Sequence, residues 1–180
     1  MDRQPVLEGE RLLLRPLTEN DRSAFVAAAG DPLIWEQHPD ANRWRALECN
    51  AWFDGALAEA GALAVIEKEK GQLVGSSRFQ TLDFGPEAAV IGSTFLVRRL
   101  WGSGANREMK RLMVAHALAF RTRAWFLIGE HNWRSRKAME AIGGRLTEET
   151  YTMQLGSGPA LHVVFEITHA DFANGPLASA

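Results

Sequence analysis

The chain is poor in cysteine: Cys49 is the only one in 180 residues. That excludes an internal disulfide and any cysteine-rich metal site, and it fits a reducing, cytoplasmic setting. Long apolar runs are also missing. None approaches the roughly eighteen residues needed to span a bilayer, and Met1-Asp2-Arg3-Gln4-Pro5 has no apolar leader core, so neither a membrane span nor a signal segment is expected. Nor is there an excess of one charge. A net charge of −2 gives no electrostatic case for gripping nucleic acid, although the basic clusters Lys110-Arg111 and 134–137 could meet the phosphates of a small cofactor. Repeats and low-complexity tracts are absent. The 46% of residues that are hydrophobic and the 23% that are charged suit one compact domain with a full-sized core. The tail 174–180 is small and polar enough to fray.

Local patterns give the element order. Arg11-Leu12-Leu13-Leu14-Arg15 reads as a strand stopped by Pro16, and Thr18-Glu19-Asn20-Asp21 as the capped start of a helix running to about Gly30. The stretch 31–43 reads as irregular, and a second helix is expected over 45–61. Two strands, 62–67 and 73–82, flank Lys70-Gly71 as a hairpin. After Gly85-Pro86 come a strand over 91–97, a long helix over 103–121 and a short buried strand over 124–128. A helix from Ser135 ends at Gly143-Gly144, and strands 145–154 and 160–168 flank Gly156-Ser157-Gly158. The order implies an α+β fold with a mixed sheet. On the long helix, Met109, Leu112, Met113, His116, Ala117 and Phe120 form the apolar stripe.

Between the 91–97 strand and that helix lies Arg99-Leu100-Trp101-Gly102-Ser103-Gly104-Ala105-Asn106. Glycines at 102 and 104 let the backbone approach a ligand without a Cβ in the way, and the first-turn N–H groups of the helix point at whatever anion lies there. A paired glycine alone is as often a plain turn. A Walker loop would need Lys and Ser/Thr after the second glycine, where Asn106 and Arg107 stand. A Rossmann unit would need an acid about twenty positions on, whereas Phe120-Arg121-Thr122-Arg123-Ala124-Trp125 holds none. A second strand-to-helix junction carries Asn132-Trp133-Arg134-Ser135, in which Ser135 reads equally as a helix cap and as a site residue.

Three separated segments, Glu10 to Pro16, the Arg99-x-x-Gly102-x-Gly104 loop and Asn132 to Gly143, resemble the RimJ/RimL-like branch of the GCN5-related N-acetyltransferases, in order and over nearly the whole chain. The resemblance implies acetyl-CoA as acyl donor, a primary amine as acceptor, direct attack in a ternary complex, and no metal. It lays the pantetheine arm along the backbone of Phe95, Leu96 and Val97 and the pyrophosphate on the N–H groups of Gly102, Ser103, Gly104, Ala105 and Asn106 after Arg99. It brings Asn132 to the pantetheine amide, and Arg136 or Lys137 towards the phosphates or adenosine. It assigns polarisation of the thioester carbonyl to the amide of Leu96 or Val97, and a proton or hydrogen bond for the leaving sulfur to Ser135. Trp35 and His38 are expected at the acceptor pocket, because the first helices and their connection overhang the thioester in this fold. Dimers are common among such proteins, though no interface is legible here.

One departure stands out. Relatives often carry a glutamate two residues before the glycine that is Gly92, and this chain has Val90. Glu87, Glu148 and Glu149, the nearest acids in sequence, read as solvated surface charges, so a water chain or an acceptor arriving deprotonated would have to replace a side-chain base. A sensor or interaction protein that binds CoA without turning it over is therefore the competing reading. Cys49 reads as a buried structural thiol, and most of Trp44, Trp52, Trp101, Trp125 and Trp133 as core, although Trp101 precedes the glycine loop and is placed to brace it.

Overall fold

A computed structural model of the protein describes residues 1–82 and 84–178. Alternating leucines make the first full strand. In β2 (Leu12–Pro16), which follows the two-residue β1 (Leu7–Glu8), Leu12 and Leu14 point into the core. Thr18 and Asp21 then form the expected capping box, and Arg15 donates to both Asp21 oxygens at 2.8 and 2.6 Å. Those Arg15 hydrogen bonds hold the Asp21 carboxyl below its usual pKa. A single 3-10 turn leads into α1 (Arg22–Ala29).

The stretch read as irregular contains a short helix, α2 (Pro32–Trp35), because Asp31 accepts from the Leu33 amide as N-cap and Pro32 takes the first helical position. Then follow α3 (Ala46–Ala58), β3 (Ala62–Glu67), β4 (Gln72–Phe79), β5 (Ala88–Leu96), α4 (Ala105–Leu118), β6 (Arg123–Gly129), α5 (Trp133–Ala141), β7 (Arg145–Leu155), β8 (Gly158–Thr168) and α6 (His169–Asn174). Helix α5 stops where expected, with Gly143 at φ +90° and its amide on the Glu140 carbonyl. The tail is less frayed than its composition implied. Leu177 is 1% exposed and belongs to the core; the remainder of the expected fraying, at 179–180, lies outside the described residues.

Among the described residues, eight strands form one sheet in the order β1-β2-β3-β4-β5-β6-β8-β7. It is the expected mixed sheet: the β5–β6 pair is parallel and the others are antiparallel. One apolar cluster gathers Met109, Met113, Val114 and Ala117 of α4 with Phe126, Ile128 and Phe165. The other gathers Phe25, Trp35, Cys49 and Phe53 of α1 to α3 with Phe95. Helix α4 is rotated from the expected stripe: Lys110, Val114 and Leu118 are buried, whereas Phe120 lies beyond the helix end and is 54% exposed.

The feature that positions the site is a splay. Strands β5 and β6 pair only over Ala88–Val90 against Arg123–Trp125, and no further rung joins them among the described residues. The cause is local: the β4–β5 register slips between Ser76 and Arg78, and opposite the slip Ser93 takes φ +48°. A bulge adds a residue, bends its strand and increases its twist, so β5 turns away from β6 beyond Gly92. Holding a non-glycine residue at positive φ costs about 1–2 kcal/mol, which the surrounding ladder offsets.

Candidate active site

The splay opens a cavity of about 350 Å³ between β5 and β6. Its walls include Gly92 to Leu96 of β5, Phe126 to Gly129 of β6, Lys110 of α4 and Ser135 of α5. Trp35 and His38 close one end and Trp101, Gly102 and Asn106 the other.

At the second end stands the glycine loop. Gly102 and Gly104 lie at φ +72° and +87°, conformations that side chains with a Cβ rarely adopt. A Cβ on Gly102 would meet nothing within 4 Å, so the backbone there faces open space. Ser103 Oγ accepts from the Ala105 amide at 3.3 Å, whereas the amides of Gly104 and Asn106 have no hydrogen-bond partner among the described residues. Free donors at the start of a 14-residue helix have the polarity that suits an anion. The Glu108 carboxylate locks that corner to β2 by accepting from the amides of Arg11 and Leu12 at 2.8 and 3.0 Å. The Arg11 guanidinium donates to the Ser103 carbonyl at 3.0 Å, so its charge stands beside the loop. Read as a strand residue from sequence, Arg11 becomes a cradle neighbour only through this contact.

Along β5, the Val97 amide donates to the Val74 carbonyl at 2.9 Å and is consumed by the sheet. Alternation along an antiparallel strand turns Leu96 the other way, into the splay, and its carbonyl accepts there from the Trp101 indole at 3.0 Å. Of Leu96 and Val97, therefore, Leu96 has the main-chain groups turned to the cleft. Phe95 sends its ring into the cluster around Trp35.

Arg99 does not face the cavity. Its guanidinium grips both Glu67 oxygens at 2.8 and 2.7 Å. Arg136 donates to the Glu130 carbonyl and lies 4.4 Å over Trp133. Asn132 rather than Ser135 caps α5: its Oδ1 accepts from the Ser135 amide at 3.2 Å. The Ser135 hydroxyl lines the cavity and has no partner among the described residues.

At the other end, Trp35 is 2% exposed and donates to the Ala29 carbonyl, so its ring is a wall with no polar handle left over. His38 Nδ1 accepts from the Asp40 amide at 2.9 Å, and burial pushes its pKa down to about 3. Beside it stands His162, missed in the sequence because it lies mid-strand among apolar residues. Its Nδ1 faces the Ala160 carbonyl at 2.9 Å; a carbonyl only accepts, so Nδ1 carries the proton and Nε2 the lone pair. Burial lowers its pKa as well. Arg134 ties the two walls together: its amide donates to Gln37 Oε1, its guanidinium donates to the Ile34 carbonyl at 2.7 Å, and it stacks 4.4 Å over Trp101.

Two tryptophans expected in the core, Trp44 and Trp133, are at the surface, 37% and 55% exposed, and Trp101 beside the glycine loop is 39% exposed; each lies under an arginine, which gives an indole face favourable contact without burial. Lys110 moves the opposite way. Read as part of a surface basic cluster, it is 4% exposed and lines the cavity. Val90 is 3% exposed, so no carboxylate occupies its place, and Glu87 is a surface charge paired with Arg123.

Residues 11–145 match the family model described as acetyltransferase (GNAT) domain. The chain belongs to the GNAT acetyltransferase family. Its general chemistry is accordingly acetyl-CoA-dependent acyl transfer. Among solved structures, a GCN5-related N-acetyltransferase from Brucella melitensis superposes with a TM-score of 0.80 at 20% identity, covering 94% of this chain and 80% of that one. Mycobacterium smegmatis RimJ in complex with CoA-disulfide gives 0.68 at 16% identity, over 93% and 86%. The ribosomal-protein-S5-alanine acetyltransferase of Vibrio fischeri gives 0.66 at 14%, over 93% and 98%. No curated protein matches the chain. At these identities the structures establish the fold, and none of its helices is long and apolar enough to cross a membrane among the described residues.

Proposed function

We propose that this GNAT protein is an N-acetyltransferase of the RimJ/RimL-like branch that passes the acetyl group of acetyl-CoA to a primary amine, a protein N-terminus or a small molecule, by direct attack in a ternary complex. The observation that carries the reading is the run of main-chain donors along one edge of the cavity: the free amides of Gly104 and Asn106 at its mouth, then Leu96 turned inward. The first two suit a pyrophosphate, and the Leu96 groups suit a pantetheine amide or the thioester oxygen. When bound, acetyl-CoA supplies the activated acyl carbon.

The remaining tasks fall to the chain. Leu96 N–H polarises the carbonyl, and Ser135 Oγ, free of other partners, offers a hydrogen bond to the leaving sulfur. Asn132 Nδ2 remains able to donate while Oδ1 caps α5. Trp35, His38 and His162 surround the acceptor end, where neutral imidazoles and an indole wall suit an uncharged amine. The burial of Val90 favours a second reading, a CoA-binding sensor without turnover.

Calorimetric titration with acetyl-CoA, followed in the same preparation by thiol release against a panel of peptides with free N-termini, polyamines and amino sugars, separates the two. Binding with acceptor-dependent release is expected. Binding without release across the panel would leave the sensor reading, and no binding would overturn both.

A further inference from the structure

Lys110 has no use in the reading above, yet it is the buried cation of the cavity wall. It sits on the second turn of α4, 4% exposed. Its Nζ lies 2.7 Å from Thr94 Oγ1 and 3.4 Å from Ser77 Oγ, with the Phe126 ring centre 5.3 Å away. Thr94 and Phe126 line the same cavity. Among the described residues nothing charged faces it: β4 offers Ser77, β5 Thr94 and β6 Phe126, and desolvation is the sole cause of its shift, which brings its pKa down to about 7. An unpaired buried ammonium is costly, so the neutral amine competes with it near neutrality.

Thr94 Oγ1 lies 3.3 Å from the Gly92 carbonyl, which only accepts, and 2.7 Å from Ser77 Oγ, a pair in which either hydroxyl can donate. With the Thr94 proton on that carbonyl and the Ser77 proton on Thr94, both hydroxyl oxygens accept from Nζ. A neutral amine has two N–H groups, and these two acceptors use both. The lone pair occupies the remaining tetrahedral position, with no protein partner among the described residues.

We propose that Lys110 is the proton carrier of the acyl transfer, taking the proton released by the acceptor amine and returning it to the leaving thiolate. The inference rests on the acetyltransferase reading. As the amine nitrogen bonds to the acyl carbon, the carbon–sulfur bond breaks and its electron pair leaves on sulfur. The nitrogen's proton goes to neutral Nζ, and the resulting ammonium, a far stronger acid than the Ser135 hydroxyl, gives it to sulfur. One group performs both transfers and ends as it began, so neither a carboxylate at position 90 nor a second acid is needed. Thr94 and Ser77 are positioning residues that aim Nζ.

Two measurements test this. In protein carrying ¹³C-labelled lysine, the Cε resonance that disappears in Lys110→Met should titrate near pH 7. A Lys110 resonance that titrates instead at the ordinary lysine value of about 10.4 overturns the proposal, with or without turnover. In steady-state kinetics, Lys110→Met should lower kcat about 100-fold and flatten the ascending limb of the pH profile, with acetyl-CoA affinity changed less than about threefold. Thr94→Val, which leaves the lysine in place, should shift that limb. If both variants keep the wild-type profile, Lys110 falls while the acetyltransferase reading stands. Wild-type protein that binds acetyl-CoA and releases no thiol overturns that reading and this one with it.

Discussion

Two strand-to-helix corners flank the cavity, β5 into α4 and β6 into α5, and they treat their helix N-termini in opposite ways. At the first, Gly104 occupies the N-cap at φ +87° and supplies no side chain, and the Asn106 amide has no partner among the described residues. At the second, Asn132 caps the helix from within and the loop 36–45 packs over it, with Pro39 so close to Gly129 that a Cβ there would fall 2.5 Å from Pro39 Cγ. A helix end that satisfies its own amides serves as a structural joint; one that leaves them free on an exposed face can accept an anion, the use proposed for the first corner. Similar local sequences therefore have different uses, and the cap residue decides which.

Substitution should separate the corners. Gly104→Val combines a β-branched residue with positive φ and drives a side chain towards Arg11, whose Nη2 would lie 3.2 Å from the new Cβ. Acetyl-CoA affinity should fall about 100-fold or more by calorimetry. Retained affinity would show that the first corner does not hold the anion.

Acid should act on the other corner. His38, with its pKa near 3, and His162, also lowered, stay neutral in the fold while an unfolded chain takes up protons below about 6.5. Their contribution to stability is thus complete above that pH and is lost as pH falls towards 3. Hydrogen exchange at pH 4.5 should rise in α5 before α4, and His38→Gln should reduce the pH dependence of the urea midpoint. Equal exchange in both helices would break the distinction.

Asn132→Ala should cost about 1 kcal/mol of stability through the lost cap and change acetyl-CoA affinity less than about tenfold, the reverse of the Gly104 pattern. Ser103→Ala should have the smallest effect. It removes the 3.3 Å bond to the Ala105 amide, costing under about 1 kcal/mol, and leaves affinity unchanged or slightly higher because one more amide is freed.

Most of the fold was legible because its signals are local. The leucine run of β2, the capping box at Thr18 and Asp21, and the Gly143 stop were each read from a few adjacent residues and recur in the structure. The glycine loop was legible for the same reason. What escaped depended on distant partners. The α4 stripe was misjudged around Lys110 because a lysine reads as surface until Ser77, Thr94 and Phe126 converge on it. Trp44 and Trp133 read as core because their arginine partners carry no weight in a hydrophobic pattern. Asn132 and Ser135 were ambiguous as cap and site residue until the backbone showed which one accepts a first-turn amide.

The sequence alone determined the order of the longer strands and helices, though not β1, α2 or α6, and it determined the two corners and their glycines, because turn chemistry and hydrophobic period act within a few residues. The tertiary structure decided the splay of β5 from β6, the inward turn of Leu96 and the burial of Lys110. These depend on a register slip between β4 and β5 and on Ser77, Thr94 and Phe126 of β4, β5 and β6 closing round Lys110, and no local pattern encodes the company a side chain will keep.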